Sequence, residues 1–176
     1  MKLLTKKQIE AIKAAINLND LDEDYKNILI DLITDQGKTK EKEVSLYVDG
    51  AADLHSKTAG IGCSLLRKGQ EIFTVAEPLI DKTNNEAEYL ALIKGAQVAH
   101  ELNIENINIY SDSELIVRQV NGEYKIKNDR MKNLHTQVMT ELKLFSHWSL
   151  NHILREKNNR ADALSKQGMY KAREAK

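Results

Sequence analysis

The sequence predicts an α/β fold with a mixed β-sheet, preceded by a short helical hairpin. Three observations carry that reading. Five short apolar stretches bounded by turn residues read as strands, and apolar residues at helical spacing fill most of the intervals between them. Residues 36–43, Gln-Gly-Lys-Thr-Lys-Glu-Lys-Glu, hold no apolar side chain and read as a solvated linker between two unlike patterns.

The elements follow in order. Thr5 and Gln8 fit a capping box, and Ile9, Ile12 and Ile16 form a narrow apolar stripe behind it. A second helix is expected over about 22–35, with Tyr25, Ile28, Leu29, Leu32 and Ile33 on one face and Gly37 placed to end it. From Val44 the period changes to two: Val44, Leu46 and Val48 alternate with Ser45 and Tyr47, up to Asp49-Gly50. Strands over 60–67 and 71–77, joined at Lys68-Gly69, complete an expected antiparallel meander. A long helix opens near Thr83-Asn-Asn85 and buries Ala87, Leu90, Ala91, Val98 and Leu102. A strand at 107–111, helices at 112–120 and 129–144, a strand at 148–154 and a helix at 160–171 close the pattern.

Composition bounds the function. The chain has 176 residues, 30% of them charged, one cysteine and a formal net charge of zero. A lone Cys63 excludes an intramolecular disulfide framework and reads as a core residue. No apolar run reaches the roughly 18–20 residues that span a bilayer, so no membrane partner is expected. The charged N-terminus lacks the apolar stretch of a signal peptide, and a cytoplasmic location is expected. A neutral total argues against nucleic acid, whose phosphates call for a basic excess. By segment, however, residues 1–43 hold 8 basic and 9 acidic groups, 44–112 hold 5 and 10, and 113–176 hold 13 and 7. Neutrality is therefore the sum of an acidic middle and a basic end.

Four acids stand where an acid serves folding poorly. Asp49 and Asp112 each end an apolar strand, Glu88 borders the buried stripe of the long helix, and Asp162 lies between Ala161 and Ala163 in the last helix. Each has a plain alternative, since Asp often ends strands, Asp112 can cap a helix, and an acid in a first turn favours the helix dipole. If the first and fourth strands are neighbours, Asp49 and Asp112 lie side by side, and the flanking helices can bring Glu88 and Asp162 to them. Carboxylates packed in this way repel one another unless cations neutralise them, and hard oxygen ligands suit Mg²⁺ or Mn²⁺.

Tyr47-Val-Asp-Gly-Ala51, Thr83-Asn-Asn-Glu-Ala-Glu88, Ser111-Asp-Ser113 and Asn158-Asn-Arg-Ala-Asp-Ala-Leu164, in this order and on these elements, resemble the type 1 ribonuclease H family over about residues 44–168. The resemblance implies a ribonuclease H-like fold, a five-stranded mixed sheet flanked by helices. Together with the patterning ahead of it, this gives an expected hairpin of unknown role at 1–35, a linker at 36–43, a catalytic domain at 44–170 and a tail at 171–176. The resemblance further implies endonucleolytic hydrolysis of the RNA strand of an RNA–DNA hybrid duplex, leaving 5′-phosphate and 3′-hydroxyl ends. Asp49, Glu88, Asp112 and Asp162 match the catalytic, metal-binding tetrad for two Mg²⁺ ions, with Mn²⁺ as a substitute. Asp49 would bridge both ions, Glu88 and Asp112 would hold the one nearer the leaving oxygen, and Asp162 the one that carries the attacking water. Asn84 and Asn85 match minor-groove contacts, where 2′-hydroxyls distinguish RNA from DNA, and Thr83 and Asn128 match a pocket for a DNA-strand phosphate. Helix capping is an equally good use of Thr83 and Asn128.

The sequence departs from some family members in two places. Arg155 stands near the position of a mobile loop histidine and is expected to substitute for it in substrate binding, while His152, on the face of Trp148 and Leu150, reads as a satisfied sheet histidine. The segment 119–128 is too short for a basic, tryptophan-bearing protrusion, although Lys125, Lys127, Arg130 and Lys132 offer phosphate affinity there. Gly60-Ile-Gly62 lacks the full phosphate-loop pattern and reads as room for close strand packing. Two rival functions stay open: a non-cleaving nucleic-acid-binding module of this fold, and a superfamily nuclease that acts on DNA.

Overall fold

The computed structural model describes residues 5–18, 20–37 and 44–175. The chain forms two compact units, Met1–Lys42 and Glu43–Lys176. In the first, α1 (Lys6–Ile16) starts at the expected capping box: the Gln8 amide donates to Thr5 Oγ1 at 3.3 Å, and the Thr5 amide donates to Gln8 Oε1 at 2.8 Å. α2 (Glu23–Gly37) follows an Asp22 side chain that accepts from the Asp24 amide. Its apolar face is narrower than the sequence suggests, because Leu29 and Ile33 are half-buried while Tyr25, Ile28 and Leu32 are exposed. Most of the expected linker, 38–43, lies outside the described residues.

The second unit contains β1 (Val44–Asp53), β2 (Thr58–Arg67), β3 (Gln70–Ile80), α3 (Asn84–Glu101), β4 (Asn106–Ser111), α4 (Glu114–Val120), α5 (Asp129–Leu142), β5 (His147–His152), a 3₁₀ turn (Arg155–Lys157) and α6 (Asn159–Glu174). The sheet order is β3-β2-β1-β4-β5, with β1, β2 and β3 antiparallel and β4 parallel to both β1 and β5. This is the predicted five-stranded mixed sheet. Lys68 and Gly69, both at positive φ, form the two-residue turn whose twist matches the flanking strands.

Strand alternation assigns the helices to faces. Leu46 and Val48 meet Gly95 of α3, and a Cβ on Gly50 would clash with the backbone of Ala87 and Glu88, so α3 covers that face. Gly62, the register partner of Asp49, faces α6, where a Cβ would strike Ala161 and Ser165. Gly60 and Gly62 therefore admit a helix, rather than a neighbouring strand, at close range. The core, Leu46, Val48, Leu65, Tyr89, Leu92, Ile109, Ile116, Val138 and Leu142 among others, packs between the sheet and α3, α4 and α5.

Several boundaries differ from the sequence reading. β1 passes through Gly50 to Asp53, because Gly50 serves the approach of α3 and does not end the strand. β3 passes through Pro78 to Ile80, which an edge strand permits because its outer side needs no ladder N–H. The expected tail at 171–176 is helical to Glu174: Ala172 is fully buried, Lys171 donates to the Ala76 carbonyl, and Arg173 pairs with Asp53. Among the described residues no helix is long and apolar enough to cross a membrane.

Candidate active site

Val48 and Ser111 are register partners in the parallel β1–β4 pair, so the residues that follow them, Asp49 within β1 and Asp112 just past the end of β4, lie at the same level. Glu88 arrives from the first turns of α3, which Gly50 lets approach β1 to backbone contact. One carboxylate oxygen from each of Asp49, Glu88 and Asp112 lies within 4.8 Å of the others. The three acids line a cleft of about 270 Å³ together with Asn84, Arg155, Asp162 and Lys166.

Asp49 and Glu88 are both buried. Burial pushes the Asp49 carboxyl up to about 6; a hydrogen bond from the Ser165 hydroxyl opposes this, and the charges of Asp112 and Asp162 add to it. Burial, then Asp49 and Asp112, pushes Glu88 up to about 9, against a hydrogen bond from the Gly50 backbone. Glu88 Oε2 is buried with no hydrogen-bond partner among the described residues. An orphaned carboxylate oxygen beside two more acids is a poor arrangement for folding and a good one for a hard divalent cation, so the donor set fits such an ion.

Asp162 lies on the same cleft but outside the close cluster. Its Oδ1 accepts from Arg155 at 3.0 Å and its Oδ2 from Lys166 at 2.5 Å. Burial pulls this carboxyl upward, but the hydrogen bonds from Lys166 and Arg155 outweigh it and hold the group below the usual carboxylate range.

The expected substrate contacts divide. Asn84 and Arg155 line the cleft; Thr83, Asn85 and Asn128 are exposed and are not among its lining. Thr83 caps α3, accepting from the Glu86 amide at 3.3 Å while its own amide and hydroxyl donate to Glu86 Oε2. Asn128 caps α5, accepting from the amides of Arg130 and Met131. The charge of Arg130 reaches Glu86, so the starts of α3 and α5 are close in space. His152 is exposed at the end of edge strand β5 and is not the satisfied sheet histidine expected. Cys63 is the core residue expected, its thiol donating to the Ala91 carbonyl and pushed up to about 12 by burial.

Three polar residues of the site went unassigned in the sequence reading. Ser165 and Lys166 follow Asp162 by three and four positions, one helical turn, so their proximity was open to inference. Asn158 has no such signal, since its side chain reaches Asp112, 46 positions away, and the Val48 carbonyl, 110 away.

Residues 47–168 match the family described as reverse transcriptase-like. The ribonuclease HI of Halobacterium salinarum is 30% identical over 127 residues, covering 72% of this chain and 64% of that protein. The chain belongs to the type 1 ribonuclease H family. The solved ribonuclease H1 of the same archaeon superposes with a TM-score of 0.71 at 29% identity, covering 74% of this chain and 99% of that one. LC11-RNase H1, solved in complex with an RNA/DNA hybrid, gives 0.69 at 32% identity, covering 74% and 99%. A bifunctional protein of Mycobacterium tuberculosis is 32% identical over 87 residues, 49% of this chain and 24% of that protein. The chain thus spans less than two thirds of the Halobacterium salinarum ribonuclease HI and about a quarter of the Mycobacterium tuberculosis protein. The family match begins at residue 47, so the hairpin of α1 and α2 stands ahead of the matched residues.

Proposed function

We propose that the protein hydrolyses the RNA strand of RNA–DNA hybrids, leaving 5′-phosphate and 3′-hydroxyl ends, with two divalent cations, Mg²⁺ or Mn²⁺ in its place. The observation that carries this reading is the convergence of Asp49, Glu88 and Asp112 within 4.8 Å on a cleft that also holds Asp162. Membership of the ribonuclease H family and the hybrid complex of LC11-RNase H1 support the choice of substrate.

Divalent cations would supply charge neutralisation on the phosphate and activation of water. Asp49, Glu88 and Asp112 would hold one ion, and Asp49 with Asp162 the other. Asp162, kept ionised by Lys166 and Arg155, accepts a hydrogen bond from the attacking water. Asn84 and Asn85, at the exposed start of α3, read 2′-hydroxyls in the minor groove. The helix starts at Thr83 and Asn128 receive a DNA-strand phosphate, which the positive ends of the two helix dipoles favour. Arg155, on the 3₁₀ turn, contacts the backbone beside the cleft.

The test is a hybrid duplex with labelled RNA, incubated with Mg²⁺ or with chelator and compared with an all-DNA duplex. Wild type is expected to cut only the RNA strand and only with metal, and Asp49→Asn and Asp112→Asn to lose at least about 100-fold in rate, as the loss of a charge-stabilising group does. Equal and negligible cleavage by all three proteins would leave a binding module, and cleavage of the all-DNA duplex would leave a DNA nuclease.

A further inference from the structure

Asn158 lies between the 3₁₀ turn and the first residue of α6 and is 1% exposed. Its Nδ2 donates to the Val48 carbonyl at 2.9 Å and to Asp112 Oδ1 at 2.7 Å. Its own carbonyl accepts from the Asp162 amide at 3.0 Å, the first turn of α6. One buried residue thus joins the backbone just before Asp49, the side chain of Asp112 and the backbone of Asp162. These are three of the four segments that carry the acids.

The remaining atom, Oδ1, is buried without a partner among the described residues. The reverse orientation of the amide would set Oδ1 against a carbonyl and a carboxylate, both acceptors, so the neighbours determine how the group points. A buried acceptor without a partner destabilises; an apolar side chain would avoid that loss but would take the donor from the Val48 carbonyl and from Asp112 Oδ1. What the amide provides is a neutral donor pair aimed at Asp112 and at the β1 backbone just before Asp49. Neutrality matters, because a lysine or arginine in this place would restrain Asp112 but would also compete with a metal ion for it.

We propose that Asn158 is a positioning residue for the carboxylate site: it holds Asp112 in register with Asp49 and ties the start of α6 to the same level of β1 and β4, so that the acids meet an incoming cation preorganised. This rests on the hydrolytic reading above. Groups that orient metal ligands in this way typically contribute about 10–100-fold to metal affinity.

The test uses the full chain with Asn158→Ala and the isosteric Asn158→Asp, which removes the donors without opening a cavity. Mn²⁺ alone is titrated into each protein and free ion is read by electron paramagnetic resonance, with melting temperatures recorded in parallel. Both variants are expected to bind Mn²⁺ at least about tenfold more weakly. On a hybrid substrate kcat should fall by a similar factor while KM changes less than about threefold, because the residue does not touch the duplex. In wild type, the Asn158 side-chain amide resonances should exchange slowly and shift as Mg²⁺ is added, a readout that needs no variant to fold. Mn²⁺ affinity within about twofold of wild type in a folded variant, or amide resonances indifferent to Mg²⁺, would overturn the proposal. A wild-type protein that binds Mn²⁺ but leaves hybrids intact would remove the hydrolytic reading, and the affinity comparison would still decide the role of Asn158.

Discussion

Asp49→Asn should stabilise the metal-free protein. The Asp49 carboxyl is raised from 3.8 to about 6, first by burial and then by Asp112 and Asp162. A carboxyl raised on folding contributes stability that is present below its unfolded value and lost as pH rises through the folded one. Wild type therefore weakens between about pH 4 and 6 through this group, and by pH 8 the loss is complete. At about 1.4 kcal/mol per unit, the shift corresponds to about 3 kcal/mol. Asparagine avoids that loss and offers a carbonyl oxygen to the Ser165 hydroxyl, so the hydrogen bond survives. It also removes one of the charges that raise Glu88. A gain of about 2–3 kcal/mol at pH 8 is expected, or about 4–12 °C in melting temperature for a chain of this size. The assay is urea and thermal unfolding in chelator at pH 4 and pH 8. The gain should be large at pH 8 and nearly absent at pH 4, and added Mg²⁺ should close the gap by stabilising wild type more than the variant. A variant no more stable than wild type at pH 8, or a gain equal at both pH values, would refute the electrostatic argument.

Metal binding at pH 7 should release about one proton, because Glu88, raised to about 9, is protonated in the metal-free protein; calorimetric enthalpies of Mn²⁺ binding should scale with buffer ionisation enthalpy. Lys166→Ala should lower the Mg²⁺ concentration for half-maximal cleavage by a few-fold, read from cleavage at several Mg²⁺ concentrations, since it frees Asp162 Oδ2 from a competing cation. Arg155→Ala should raise KM for the hybrid and reduce the salt dependence of binding by about one phosphate contact, read from affinity at several ionic strengths. Gly50→Ala should destabilise by about 3 kcal/mol or more and weaken Mn²⁺ binding, because a Cβ would lie 2.2 Å from the Glu88 amide nitrogen and force α3 off the strand; urea unfolding and Mn²⁺ titration check both.

The adjacency of Asp49 and Asp112 was legible because each closes an apolar alternating run in the sequence, and a parallel pairing of those two runs leaves little other choice, although β1 itself continues to Asp53. Glu88 was legible from its place beside the stripe Ala87, Leu90, Ala91, and the caps at Thr5, Thr83 and Asn128 from residue type and spacing. What stayed hidden depends on packing between distant segments. Gly50 reads locally as a strand end, and only the approach of α3 gives it another role. Pro78 reads as a break, and only the edge position of β3 makes it harmless. Ala172 in a charged terminal segment reads as tail, until β3 and Asp53 supply its surroundings. The contact between Asn158 and Asp112 crosses 46 positions with no periodicity to announce it.

The four acids are neutralised by two different means, and the difference explains the charge pattern along the chain. Asp162 is matched by protein cations, Arg155 and Lys166, both in the basic C-terminal segment. Asp49, Glu88 and Asp112 come from the acidic middle and meet no protein cation at hydrogen-bonding distance among the described residues; burial and mutual repulsion lift the first two instead. A zero net charge therefore conceals one self-compensated acid and one cluster whose compensation must come from outside the chain. A polyanionic duplex faces that cluster unfavourably until divalent cations enter it, so metal and duplex should assist each other's binding, with equal coupling in both directions. The basic segment attracts phosphate generally, and the cluster makes productive attraction conditional on metal.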